Sequence, residues 1–222
     1  MKRILLLIVG AALLFAVSSA FGSNTSITFV DSLSTYGDNY GNDRTGLYGA
    51  VINGQNTQMI CDDYYHNISN NQQWSANGIN AADLNASNIG MTQFGAAGGL
   101  QLYTEVAFLV GQMYANSSNP SAMSLISQAI WNITTPSAAP ANSYTTLAVA
   151  FFNTYGVAGL KQFANLWVYT PVDRSPGGPQ EMWSLMPVPE GGEALVYLLL
   201  AGISCFGAMF YVRRQKAAAG MA

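Results

Sequence analysis

The spacing of apolar residues changes several times along this chain, and each change predicts a different element. A short apolar run over residues 26–30 reads as a strand. Residues 36–43, YGDNYGND, form a turn-rich loop. Residues 46–52 and 57–64 flank Asn53-Gly54 and predict a β-hairpin, because Asn-Gly accepts the positive φ angles of a tight turn. The extra Gln55 and Asn56 predict a hairpin loop longer than two residues. Val51, Met59 and Cys61 follow an alternating pattern that points Cys61 inward. Residues 65–99 are polar and rich in Gly, Asn and Ala, which predicts loops and one short helix, with Trp74 as the clearest anchor.

The texture then becomes helical. Leu102, Val106, Leu109, Val110 and Met113 recur at helical spacing over 101–115. Asn119-Pro120-Ser121 marks a break and a new start. Leu125, Ile126, Ala129, Ile130 and Ile133 make a second helix, ended by Pro136 and Pro140. A third helix is expected over 144–155 and a fourth over 157–164. Residues 166–170 look strand-like, DRSPGGP lies in a loop over 171–179, and 180–185 predict a last strand beside the first ones. Strands, then helices, then strands indicate an α+β fold rather than alternating βα units: N-terminal hairpin and strands, a central helical segment, C-terminal strands, and a single C-terminal transmembrane helix.

The two ends carry address information. Lys2 and Arg3 precede an apolar run over 4–17, and Ser18, Ser19 and Ala20 supply small residues for a signal peptidase, so residues 1–20 read as a signal peptide cleaved after Ala20. Residues 194–212 contain no charge and no proline. At about 1.5 Å per residue they span roughly 28 Å, close to the hydrocarbon thickness of a bilayer. Arg213, Arg214 and Lys216 follow at once as a membrane stop, and such a cluster stays cytoplasmic. The expected division is a signal peptide over 1–20, an exported globular domain over 21–170, and a last strand with a Pro/Gly-rich tether over 171–193. The transmembrane helix over 194–212 and a cytoplasmic basic tail over 213–222 complete it.

Val188-Pro189-Glu190-Gly191, the apolar stretch and the arginine-rich stop together resemble a PEP-CTERM sorting signal of Gram-negative bacteria. The family's usual motif is Pro-Glu-Pro, and here Gly191 holds the third place. The resemblance implies recognition by an exosortase-like membrane protease. It implies a precursor anchored in the inner membrane through its C-terminal helix, then delivery to the cell surface or extracellular matrix. Exopolysaccharide and biofilm formation are the implied setting.

Charge narrows the rest. Between residues 21 and 190 three cations, Arg44, Lys161 and Arg174, stand against ten acids, a net of minus seven. Nucleic-acid binding needs basic patches that displace counterions, so no nucleic-acid partner is expected. A weakly charged surface rich in Asn, Gln, Ser and Thr suits contact with extracellular polysaccharide. Cys205 lies in the apolar span, which leaves Cys61 as the single cysteine of the exported part and excludes an internal disulfide there.

The densest candidate chemistry is MICDDYYH, with Cys61, Asp62, Asp63 and the chain's one histidine, His66. One Cys and one His fall short of a zinc site, and no metal or other cofactor is expected. Residues five apart on a strand point to opposite faces, which opposes a Cys61–His66 nucleophile pair. Asp62, Asp63, Asp83 and Glu105 supply carboxylates for a glycosidase, with nothing to set their separation. ICDD at 60–63 and ISQAIW at 126–131 are similar to the two halves of bacterial surface thioester domains, in which a cysteine sulfur joins a glutamine side chain with loss of ammonia. In that family the glutamine stands two places before the alanine. Here that place is Ser127 and Gln128 is adjacent, so Cys61 and Gln128 are the thioester candidates the resemblance offers. Among the tryptophans Trp131 ends an apolar stripe and is expected to be buried, whereas Trp74 is the better surface candidate for stacking on a sugar.

The expectation is a non-enzymatic structural or adhesive surface protein without catalytic residues. The alternatives are a thioester-type covalent adhesin and an exported polysaccharide hydrolase.

Overall fold

The computed structural model describes residues 23–185 apart from Pro176. The Ala20 cleavage site, the Val188-Pro189-Glu190-Gly191 motif, the apolar span over 194–212 and Arg213, Arg214 and Lys216 lie outside the described residues. Among the described residues no helix is long and apolar enough to cross a membrane.

The elements run β1 (Ser23–Phe29), β2 (Thr35–Tyr36), β3 (Gly46–Ile52), β4 (Gln55–Cys61), β5 (Gln73–Asn80), α1 (Gly95–Ala115), α2 (Pro120–Thr134), α3 (Ser143–Tyr155), β6 (Leu166–Pro171) and β7 (Met182–Leu185). Every pairing is antiparallel, in the order β1-β5-β6-β7-β4-β3. β3 also pairs back onto β1, with Ile27 opposite Ile52, so six strands close into a barrel. The short β2 extends the other end of β3. Among the described residues the fold is therefore α+β, with a closed barrel and three α-helices.

Closure follows from alternation along each strand. Ile27, Ala50, Met59, Cys61, Trp74, Ala76, Tyr169 and Met182 form one buried cluster that fills the barrel. Their neighbours Leu47, Ile60, Ile79, Leu166, Val168 and Trp183 face the other way and join the helices in a second core. Strands buried on both faces have little room for charge, which explains the sparse composition.

The helices start and stop where local chemistry directs. The Asn119 side chain accepts from Ala122 N ahead of Pro120, whose missing N–H costs nothing in a first turn. Asn142 and Thr145 form a reciprocal capping box for α3. Gly99, at φ 57°, interrupts the first turn of α1, so its regular part begins near the predicted 101. Tyr103, Val106, Leu109, Val110 and Met113 of α1 are buried against α2 and the barrel.

Five expectations change. The hairpin loop is the two residues Asn53-Gly54, at φ 49° and 86°, and Gln55 already pairs with Ile52. The polar stretch expected to be loops contains β5, a full barrel strand. The expected fourth helix is a 3₁₀ helix over Gly156–Phe163. β7 pairs with both β4 and β6, so the compact part continues to Leu185, beyond the boundary drawn at 170. Trp74 also moves, from the surface into the barrel interior, because β5 places it opposite Ile27.

Candidate functional site at the end of strand β4

The MICDDYYH segment leaves β4 as a tight, self-bonded turn. Cys61 is buried in the barrel, its thiol donates to the Asp63 carbonyl at 3.0 Å, and Asp63 N–H donates back to the sulfur at 3.3 Å. Burial raises the thiol pKa well above its ordinary value, and the charges of Asp63 and Asp62 push the same way. The Trp131 indole N–H has no partner within full hydrogen-bonding distance among the described residues, but lies near enough to this sulfur to favour the thiolate slightly. Burial wins, so Cys61 stays a protonated thiol and a poor nucleophile.

Asp63 is saturated. One carboxylate oxygen accepts from Tyr65 N–H at 3.1 Å and the other lies 2.6 Å from His66 Nδ1. His66 therefore pairs with Asp63 and not with Cys61. The Gln180 amide N–H₂ donates to the Asp63 carbonyl at 3.0 Å and to the His66 carbonyl, stapling this turn to the chain ahead of β7.

Asp62 faces the helices and meets Glu181, a residue the sequence reading passed over. Cys61 opposite Met182 sets the register, and Asp62 N–H donates to the Glu181 carbonyl at 3.4 Å. Both carboxyls are fully buried. Glu181 accepts from Gln93 N–H at 2.8 Å and from the Tyr103 and Thr170 hydroxyls. Asp62 accepts from the Trp183 indole at 2.6 Å. Its second oxygen has no partner at full hydrogen-bonding distance among the described residues, yet faces Glu181 closely enough for the two carboxyls to share a proton. Burial raises both pKa values, and the negative charge of Glu181 raises that of Asp62 further. Glu181 has the donors and Asp62 holds the proton. The available sequence signal was an acid inside an expected strand, QEMWSL.

The other carboxylates stay apart. Asp83 is exposed on a 3₁₀ turn over Ala81–Asp83, and Glu105 on α1 accepts from Gln101 at 3.0 Å. Among the described residues neither is hydrogen-bonded to Asp62 or Asp63, and no cluster of three or more His, Cys, Asp or Glu is placed to hold a metal.

ISQAIW runs along α2 toward the same turn. Trp131 is buried and meets the Tyr64 ring edge-on at 5.3 Å. Ser127 is buried and accepts from Gly46 N–H at 3.1 Å, tying α2 to β3. The Gln128 amide donates to Ser124 at 3.1 Å, so Cys61 and Gln128 are engaged with different partners. The glutamine that shares an acceptor with the Cys61 thiol is Gln180.

A polar cleft of about 170 Å³ opens here, lined by Asn42, Asp43, Tyr64, Asn67, Trp131 and Gln180 among others. A wider groove of about 730 Å³, more apolar, runs beside β5 and β6 past Asp83, Lys161 and Trp167. Comparison of the chain with family models, with curated proteins and with solved structures finds no match.

Proposed function

We propose that this chain is a non-enzymatic protein of a bacterial cell surface or extracellular matrix, a rigid barrel domain with a structural or adhesive role in an exopolysaccharide setting. The observation that carries the reading is the sealing of its reactive groups. The Cys61 thiol is folded onto Asp63, and the Asp62–Glu181 pair is closed over by Tyr103, Thr170 and Trp183. A hydrolase needs carboxyls that reach a substrate, and a thiol enzyme needs an accessible thiolate. These groups spend their chemistry on holding the fold.

Export rests on the ends of the chain: a leader cut by signal peptidase after Ala20, and a tail read by an exosortase-like protease at Val188-Pro189-Glu190-Gly191. The apolar stretch over 194–212 holds the precursor in the inner membrane, with Arg213, Arg214 and Lys216 inside. Fractionation of cells making a tagged full chain tests the reading. Recovery in the envelope or medium is expected, and recovery mainly in the cytoplasm overturns it.

A further inference from the structure

The cleft beside Trp131 contains a buried acceptor without a donor. Gln180 is only 7 % exposed, and both of its known bonds use the amide nitrogen. Its carbonyl oxygen, Oε1, has no hydrogen-bond partner among the described residues. Buried polar groups are almost always paired, so an orphan oxygen carried by a residue that lines a cleft calls for a donor from outside the chain.

The surroundings specify what carries that donor. Tyr64 and Trp131 give the cleft an aromatic wall, and Asn42 and Asn67 at its exposed rim offer amides that both donate and accept. Asp43 adds an acceptor and negative charge. Arg44 also lines the cleft, but its guanidinium is turned to Asp31 at 2.6 Å and packs over Tyr36 at 4.8 Å. An anionic ligand would meet a cation already paired with Asp31 and would face the carboxylates of Asp43 and Asp63. A simple ammonium would satisfy the acceptors and leave the amide donors idle. Hydroxyls donate and accept at the same site, and a ring with an apolar face and hydroxyl edges suits an aromatic wall. Drug-sized ligands need about 300–1,000 Å³. A cleft of about 170 Å³ has room for one small ring and none for a chain.

We infer that this cleft binds a single neutral sugar residue, with a ring hydroxyl donating to Gln180 Oε1, Tyr64 and Trp131 as its wall, and Asn42 and Asn67 as its rim. This rests on the surface-protein reading above and names its partner as a neutral glycan held by one residue. Small area and a solvated rim make each contact weak, so useful retention comes from many copies along a polymer.

The test is ligand-observed saturation-transfer NMR on the full chain with D-glucose, D-galactose, D-mannose and N-acetyl-D-glucosamine. At least one is expected to bind with a Kd at or below about 10 mM. Tyr64→Ala and Asn67→Ala, changes at partly or fully exposed positions that keep the Gln180 staple, each weaken that binding fivefold or more. Asp83→Ala in the wider groove leaves it unchanged. Binding of none of the four, a smaller loss in both cleft variants, or an equal loss in Asp83→Ala overturns the inference. A protein found at the cell surface that binds none of these sugars keeps its functional reading and loses this one. A cytoplasmic protein that binds one through Tyr64 keeps the cleft and loses the setting.

Discussion

The Trp183 indole N–H donates to an Asp62 carboxyl oxygen across 2.6 Å, in the seam between barrel and helices. That bond favours the charged form of Asp62, but burial and the negative charge of Glu181 outweigh it, so the proton stays on Asp62. The pKa values of both acids are raised in the fold, with burial the largest cause. A raised carboxyl pKa means that the folded state binds the proton more tightly than the unfolded chain, where the pKa is about 4. The resulting stability is complete below that value and is lost as pH rises through the raised folded value. Thermal stability should therefore fall as pH rises from the ordinary carboxylate range toward the alkaline side. Asp62→Asn retains an acceptor for Trp183 and a donor for Glu181 without an ionisable proton. Melting curves across this range should show a flatter profile and a higher Tm at the alkaline end for Asp62→Asn. A variant less stable than the parent at every pH would sink the shared-proton account.

Cys61 should resist chemistry while the chain is folded. The residue is 2 % exposed and its thiol is hydrogen-bonded to Asp63. Iodoacetamide should alkylate it at least about a hundredfold more slowly in the native state than in guanidinium. Intact mass should match a free thiol. Rapid native labelling, or a mass short by one ammonia, contradicts this geometry.

Ser127 stands where thioester domains have their glutamine, and here it has a structural task. Ser127→Ala removes the acceptor of the Gly46 N–H at a buried contact. Leaving that donor unsatisfied costs about 1–3 kcal/mol, measurable by urea denaturation. A loss near zero would mean that water or another acceptor reaches Gly46.

The β3–β4 turn isolates a backbone effect. Gly54 sits at φ 86° with open space where a Cβ would go, so only conformation opposes a side chain. Gly54→Ala should cost about 1–2 kcal/mol, the left-handed penalty for an L-residue, whereas Asn53→Asp, which keeps the Oδ1 acceptor of Ser26 N–H, should stay within about 0.5 kcal/mol. Equal effects at the two positions would argue against this turn.

Much of the secondary structure could be read directly. The stripes Leu102–Val106–Leu109–Val110–Met113 and Ile126–Ala129–Ile130 are local signals on buried helix faces, whereas Leu125, read into the second stripe, is 40 % exposed and Ile133 is half-buried. Asn119 and Asn142 cap helices because a cap needs only residues two or three places on. The inward direction of Cys61 followed from period-two alternation alone. β5 escaped because QWSANGIN has few β-branched residues. It is a strand because β1 and β6 flank it and its small Ala76 and Gly78 fit a crowded barrel interior. Trp74 was misplaced for the same reason.

Local order was thus written in the chain itself: the helices, their caps, the hairpin, the α+β order and the low charge. Periodicity and capping act over a few residues, and no distant partner is needed to set them. Barrel closure through β1 and β3, the meeting of Asp62 with Glu181 and the approach of Gln180 to Cys61 and Asp63 were decided only in three dimensions. Each joins segments far apart in sequence through strand register, and a one-residue slip would turn Asp62 into the barrel and Cys61 out of it.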